Sequence, residues 1–93
     1  MDRDRALDLL RTNHVFPGPY ELRVVIHPHG RATILSLVGA AATGRVSIHG
    51  VDERASAQGR YVSLRIGLTV TDAEDVLAVY ELLRGRPEVI LSM

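Results

Sequence analysis

The strictest pattern in this chain of 93 residues is the alternation of side chains along residues 61–70. Every second residue from Val62 to Val70 is a large aliphatic, the residues between them are polar or small, and the aromatic Tyr61 precedes them. Because successive side chains of a β-strand point to opposite faces, this segment predicts a strand with one buried face. A strand of this length needs neighbours on both sides, so we expect it at the centre of a sheet.

Other segments carry weaker strand or helix signals. Strands are expected at residues 20–27, 45–53 and 88–93, where apolar side chains alternate or cluster behind turn-forming residues. A helix is expected at residues 31–42, with Gly44 as its cap, because apolar residues recur there at helical spacing. A second helix is expected from a capping box at Thr71 and Glu74 to a stop at Gly85.

The resulting order of strand, helix, strand, strand, helix, strand predicts an α+β fold of the ferredoxin-like βαββαβ type. Right-handed crossovers place both helices on one face of a four-stranded antiparallel sheet, with the first and third strands at its centre. Residues 1–15 are expected to be an N-terminal segment that is partly helical or frayed. Residues 16–93 are expected to form a single domain of this fold.

Charge and composition restrict the function. Eleven basic residues, all arginine, balance eleven carboxylates, so the chain lacks the cationic field that drives binding to nucleic acid. There is no cysteine, which fits a reducing compartment. The N-terminus has no apolar core of a secretory signal, and no apolar run approaches the roughly 20 residues that span a bilayer. We therefore expect a cytoplasmic protein without a membrane segment.

Several short motifs occur in a characteristic order: Leu9-Leu10, Phe16-Pro17-x-Pro19-Tyr20, Ser56-x-x-Gly59-x-Tyr61-x-Ser63, Leu82-Leu83 and the apolar ending Val89 to Met93. Their order and spacing resemble the YbeD-like family of small bacterial proteins of unknown function, which have an ACT-like fold. The sequence departs from that pattern at residues 11–14, in the His-Pro-His-Gly loop and at residues 40–42. The resemblance implies kinship in shape with ACT domains, which pair into dimers and hold small effectors. A homodimer with a small-molecule effector or a protein partner is therefore expected.

The His-Pro-His-Gly loop joins the first strand to the first helix and supplies the candidate ligand residues His27, His29, Gly30 and Arg31. The simplest interpretation is a turn that contains two histidines. A small anion at the free N–H groups of the helix, beside Arg31, is an alternative. A metal site is a third, although two imidazoles are too few for tight zinc or nickel binding unless His49 is brought in by a partner subunit.

The face of the sheet without helices is the second candidate region. Its predicted members are Arg23, Val25, Ser47, His49, Tyr61, Ser63, Arg65, Thr69 and Ile90. Such a face is either solvated, buried against another subunit, or used to stack RNA bases. An RNA-recognition sheet carries several exposed aromatic residues, and the segment around Tyr61 offers one.

No motif predicts catalysis or a cofactor. The segment Ile48-His49-Gly50-Val51-x-x-Arg54 faintly resembles the phosphate loop of acylphosphatases, but that loop follows their first strand and needs an asparagine on the sheet. We assign no catalytic and no metal-ligating residue. The sequence therefore predicts a noncatalytic ACT-like regulatory or adaptor domain, with an RNA-associated module or a histidine-based metal sensor as alternatives.

Overall fold

The computed structural model describes residues 2–92, apart from the side chain of Ala42. The helices and strands follow the chain as α1 Arg3–Asn13, β1 Gly18–Ile26, α2 Arg31–Gly39, β2 Ser47–Ala55, β3 Val62–Val70, α3 Ala73–Leu83 and β4 Val89–Ser92. Short 3-10 helices at Pro28–Gly30 and Ala41–Gly44 precede and follow α2.

One antiparallel sheet organises the described chain, with strand order β2-β3-β1-β4. The central strands β1 and β3 pair without interruption from Gly18 opposite Val70 to Ile26 opposite Val62. Each outer strand has one shift in its pairing register. In β2 the shift lies between Ile48 and Gly50, and in β4 it lies opposite Val25 and Ile26 of β1. This order confirms the predicted α+β, ferredoxin-like fold with β1 and β3 at the centre.

The covered face of the sheet forms the hydrophobic core. Leu22 and Ile26 of β1 and Ile66 of β3 are wholly inaccessible to solvent. Helices α2 and α3 lie over this face and bury Ile34, Val38, Val76, Val79 and Leu83. Full burial of one such side chain is worth about 1.5–3 kcal/mol, so the alternation along β3 accounts for a large part of the folding energy.

Helix α1 lies outside the βαββαβ unit and contacts α3. It begins at the N-cap Asp2, whose carboxylate accepts a hydrogen bond of 2.8 Å from the backbone N–H of Arg5. Leu7 is its buried residue, and Arg3 and Arg11 form exposed ion pairs with Glu81 and Asp72 of the α3 region. Because exposed ion pairs contribute little, the burial of Leu7 and the packing of Leu10 against the core contribute more to holding α1 in place.

Two helix boundaries differ from the sequence-based predictions. The cap of α3 is Asp72, and it is the carboxylate of Asp75 that accepts 3.1 Å hydrogen bonds from the N–H groups of Thr71 and Asp72. The capping box predicted at Thr71 and Glu74 is therefore displaced by one residue. Aspartate caps as well as threonine does, so the sequence allowed either choice.

The predicted regular helix to residue 42 is wrong in its last turn. Helix α2 ends at Gly39, and the chain continues as a 3-10 helix that places Ala41 in the core with 1% of its surface exposed. Glycine is a poor helix former, which favours an end at Gly39. Thr43 and Gly44 both take positive φ angles, so the turn into β2 uses two left-handed residues.

Candidate functional site

The uncovered face of the sheet is arranged in cross-strand rows. The pairing register gives the three rows Arg54–Ser63–Val25–Leu91, Asp52–Arg65–Arg23 and Gly50–Gly67–Glu21. Residues in such rows lie about 4.5–5.5 Å apart at their Cβ atoms, so each row is a set of direct neighbours. The structure thus brings together Arg23, Val25, Ser63 and Arg65, as the sequence predicted for this face.

The charges of this face are only partly paired. Arg23 and Arg65 stand directly opposite each other on the two central strands. Both direct Nε toward one atom, Oε1 of Glu21, at 3.6 and 3.5 Å respectively. Asp52 lies opposite Arg65 on the other side, and within residues 2–92 its carboxylate takes part in no ion pair or hydrogen bond. The middle of the face is therefore crowded with guanidinium groups that share one carboxylate oxygen.

His49 occupies the irregular position of β2, between Ile48 and Gly50. A Cβ atom added to Gly67 would lie only 2.9 Å from Cε1 of His49, so the imidazole rests on the bare backbone of β3. A cavity of about 420 Å³ opens beside it, walled by Glu21, Asp52 and Arg65. His49 was predicted on this face, whereas its packing on Gly67 was not, although a lone glycine inside a strand signals close approach of another group.

The His-Pro-His-Gly loop is more closed than the sequence suggested. The rings of His27 and His29 stack at 5.6 Å, with 15° between their planes. Gly30 is buried, and a Cβ atom there would lie 2.6 Å from Cβ of Glu88. Arg31 is engaged, since its Nε donates to the Glu53 carboxylate at 3.0 Å. A ligand at this loop would have to displace Glu53 from Arg31 and Glu88 from Gly30, and ligand binding here stays a prediction.

Glu88 fixes this loop to β4. Its backbone carbonyl accepts from the N–H of His27 at 2.9 Å, and its carboxylate accepts two hydrogen bonds from Arg86, at 3.0 and 3.2 Å. A hydrogen bond from its own backbone N–H, with a smaller contribution from Arg86, lowers the pKa of Glu88.

Across residues 2–92 no cluster of three or more histidine, aspartate or glutamate side chains has the arrangement of a metal site. His49 lies beside Gly67 and Leu68 of β3, whereas the end of β1 that leads to His27 pairs with Val62, toward the other end of β3. Within the described chain, His49 is therefore not brought to the two histidines of the loop.

The edge strand β4 carries exposed apolar side chains. Ile90 and Leu91 are 42% and 51% exposed, and Leu91 lies opposite the half-buried Val25. We call Val25, Ile90 and Leu91 the β4 margin. Tyr61, 46% exposed, precedes β3 at the same end of the sheet, so the margin and the aromatic residue are the most apolar parts of this face.

A polar pair closes the other side of the sheet, beneath α3. The hydroxyl groups of Tyr20 and Tyr80 are 2.8 Å apart, and their rings meet edge to face. Burial, followed by the hydrogen bond to Tyr20, raises the pKa of the Tyr80 hydroxyl well above its usual range. This pair belongs to the packing of α3 on β1 rather than to the uncovered face.

These features define a small α+β domain of the ferredoxin-like class that has one face of its sheet uncovered. The chain belongs to a family described as "Protein of unknown function (DUF493)", whose model matches residues 11–93. This match and the relatives below confirm the YbeD-like resemblance. The matched region begins inside α1, so most of that helix precedes it.

Known proteins similar to this chain agree with that assignment. A UPF0250 protein of Xylella fastidiosa strain M23 is 40% identical over 78 residues, which cover 80% of this chain and 82% of the relative. The UPF0250 protein of the Temecula1 strain matches with the same identity and coverage. The solution structure of the C-terminal domain of the MgtC protein from Mycobacterium tuberculosis superimposes with a TM-score of 0.69 at 14% identity, over 86% of this chain and 87% of that one. At that identity, the likeness concerns the fold alone.

The longest helices of the described chain, α1 and α3, have 11 residues each, and no helix there is long and apolar enough to cross a membrane.

Proposed function

We propose that this protein is a noncatalytic regulatory or adaptor module, kin in shape to ACT domains, that works as a homodimer joined at the β4 margin. The observation that carries the proposal is the group of neighbouring apolar side chains at that margin, Val25, Ile90 and Leu91. A single exposed leucine is ordinary on a protein surface, whereas adjacent ones at an edge strand favour association. A small domain of this length also gains much from burying additional surface.

The geometry of the edge favours a second copy as the partner. An edge strand has backbone N–H and C=O groups that no neighbouring strand satisfies, and β4 pairs only with β1 within the described chain. Two copies related by a twofold axis would place the same apolar residues against each other, as closed dimers do. Leu91 would lie near the centre of such a contact.

The environments of the carboxylates support a noncatalytic role. Asp75, 2% exposed, is held by Arg45 at 3.0 Å and by two backbone N–H groups, and the guanidinium of Arg11 lowers the pKa of Asp72 through a hydrogen bond. A catalytic acid generally has its pKa raised toward neutrality. The pKa of Asp72 is instead lowered, and the carboxylate of Asp75 completes the capping box of α3 and pairs with Arg45. The proposal places the protein in the cytoplasm, which the cysteine-free composition favours.

The test is the mass of the protein in solution, measured by light scattering during gel filtration. We expect the wild-type chain to have the mass of two chains and Leu91→Glu the mass of one, because a buried unpaired carboxylate opposes association. Leu82→Glu is the matched control, since Leu82 is 40% exposed on α3, away from the margin, and should leave the dimer intact.

Thermal unfolding of each variant shows whether it is folded when its mass is measured. A wild-type chain that runs as a monomer at high concentration would refute the homodimer. Loss of the dimer in Leu82→Glu, with retention in Leu91→Glu, would move the interface to the helices.

A further inference from the structure

We propose that the uncovered face binds a phosphorylated small molecule in a trough formed by Arg23, Val25, Asp52, Arg54, Ser63 and Arg65. The trough is a cavity of about 660 Å³ across β2, β3 and β1. That size is within the range of small-molecule sites, roughly 300–1,000 Å³. The trough meets the β4 margin at Val25, but its charged residues lie on β1, β2 and β3, so the proposal rests on the arginines and not on the homodimer.

The first argument is an electrostatic cost that the fold does not require. Arg23 and Arg65 are direct cross-strand neighbours on the two central strands. Like charges in that relation destabilise a sheet, and the uncovered face would accept many polar residues at either position. Local rules of this kind are broken mainly where a function compensates for the cost. An anion between the two guanidinium groups is the simplest such compensation.

The second argument is the number of unused donors. The Nε atoms of Arg23 and Arg65 share Oε1 of Glu21 at 3.6 and 3.5 Å, longer than the 2.7–2.9 Å typical of a strong charge-assisted hydrogen bond. Within residues 2–92, the guanidinium group of Arg54 takes part in no ion pair or hydrogen bond, although its backbone pairs with Ser63 in the sheet. An incoming oxyanion can therefore bind more closely than the groups already present.

The third argument is shape. Ser63 lies in the row between Arg54 and Val25, and its small side chain leaves the centre of the face low while longer side chains stand around it. Three guanidinium groups thus surround a floor with a hydroxyl group. The planar fork of arginine binds phosphate oxygens in pairs, which is why arginine is prominent in phosphate recognition.

The carboxylates limit what can enter. The negative charges of Asp52 and Glu21 balance two of the three positive charges of the arginines in this region, so its net charge is only weakly positive. A long polyanion would lie against both carboxylates, whereas a compact phosphate group can contact the arginines alone. This balance favours a small molecule over a nucleic acid.

The experiment is calorimetric titration of the full chain with sodium pyrophosphate at low salt, with citrate and a single-stranded uridine oligonucleotide as parallel ligands. Arg23→Gln and Arg65→Gln are each expected to weaken pyrophosphate binding by about tenfold or more, because each removes a charged bidentate donor. Arg84→Gln is the matched control, since Arg84 is an exposed arginine at the end of α3 and should bind as the wild type does.

Thermal unfolding without ligand separates a binding role from a structural one. Each of the two variants removes one of two facing like charges, so its melting temperature should equal or exceed that of the wild type. A clear decrease would mean that the arginines serve the fold, and would overturn the proposal.

Other outcomes also overturn it. These are no heat of binding with millimolar pyrophosphate, equal loss in Arg84→Gln, and tighter binding of citrate than of pyrophosphate. A much tighter complex with the oligonucleotide would assign the face to RNA instead. None of these results bears on the mass of the protein in solution, which tests the homodimer separately.

Discussion

The covered and uncovered faces of the same sheet use the same backbone differently. On the covered face, Leu22, Leu64 and Ile66 are at most 1% exposed and contact the helices. On the uncovered face, Arg23 and Arg65 occupy the alternate positions of the same two strands and are about half exposed. Adjacent residues of one strand thus have different roles. The side chains of the covered face stabilise the fold, and those of the uncovered face are available to bind another molecule.

The largest expected effect tests this division directly. Leu64→Ala should lower the free energy of unfolding by about 2–5 kcal/mol, since it leaves a cavity among close-packed aliphatic side chains. Arg65→Ala, the next residue on the opposite face, should change it by no more than about 0.5 kcal/mol. Urea denaturation followed by circular dichroism measures both. Similar losses at the two positions would contradict the assignment of faces.

Two glycines extend the comparison to closeness of packing. Gly30→Ala should cost about 1–3 kcal/mol, because the new Cβ would overlap Cβ of Glu88, which is held in place by Arg86 and by the backbone. Gly67→Ala meets only the ring of His49, which is exposed and can turn away, so its effect should stay within about 0.5 kcal/mol. The same denaturation experiment compares the two. A larger loss at Gly67 would show that His49 is rigidly held.

The effect near neutral pH expected at Tyr80 is smaller than those at Leu64 and Gly30. Tyr80→Phe removes one hydrogen bond and should cost about 0.5–1 kcal/mol. In the wild type, the pKa of Tyr80 is raised on folding above its ordinary value of 10.0, so the unfolded chain ionises first as the pH increases. The stabilising contribution is complete below pH 10 and is lost as the pH rises above that value.

The measurement for Tyr80 is the free energy of unfolding between about pH 8 and about pH 11. The decline above pH 10 should be shallower in Tyr80→Phe than in the wild type. Tyr61→Phe serves as the control, because Tyr61 is exposed and has no comparable partner ring among residues 2–92. An unchanged slope in Tyr80→Phe would show that another group causes the alkaline loss.

Much of the fold could be predicted because burial imposes periodicity. The alternation from Val62 to Val70 fixed the faces of β3, and the spacing of Ile34 and Val38 identified α2. The errors occurred at helix ends, where Asp72 and Thr71 are both competent caps and where Gly39 competes with Gly44 as a stop. Such choices depend on tertiary contacts, for example on Asp75 and on the burial of Ala41.

The candidate site could be predicted only in outline. Alternation placed Arg23 and Arg65 on the uncovered face, but their direct opposition depends on the register between β1 and β3, which no local pattern specifies. The contact of His49 with Gly67 depends on an irregularity in β2 in the same way. Conversely, Gly30 looked accessible in the sequence and proved to be closed by Glu88, a residue 58 positions later in the chain.

The irregular positions in β2 and β4 have a consequence for how many copies can assemble. Fibrils grow without limit when identical flat edge strands of successive molecules pair with one another. Here each outer strand is kinked once, and only the central pair runs straight. We therefore expect assembly to stop at the dimer even in concentrated solution, since the two β4 edges face each other within the pair and the irregular β2 edge offers no regular template for the next molecule.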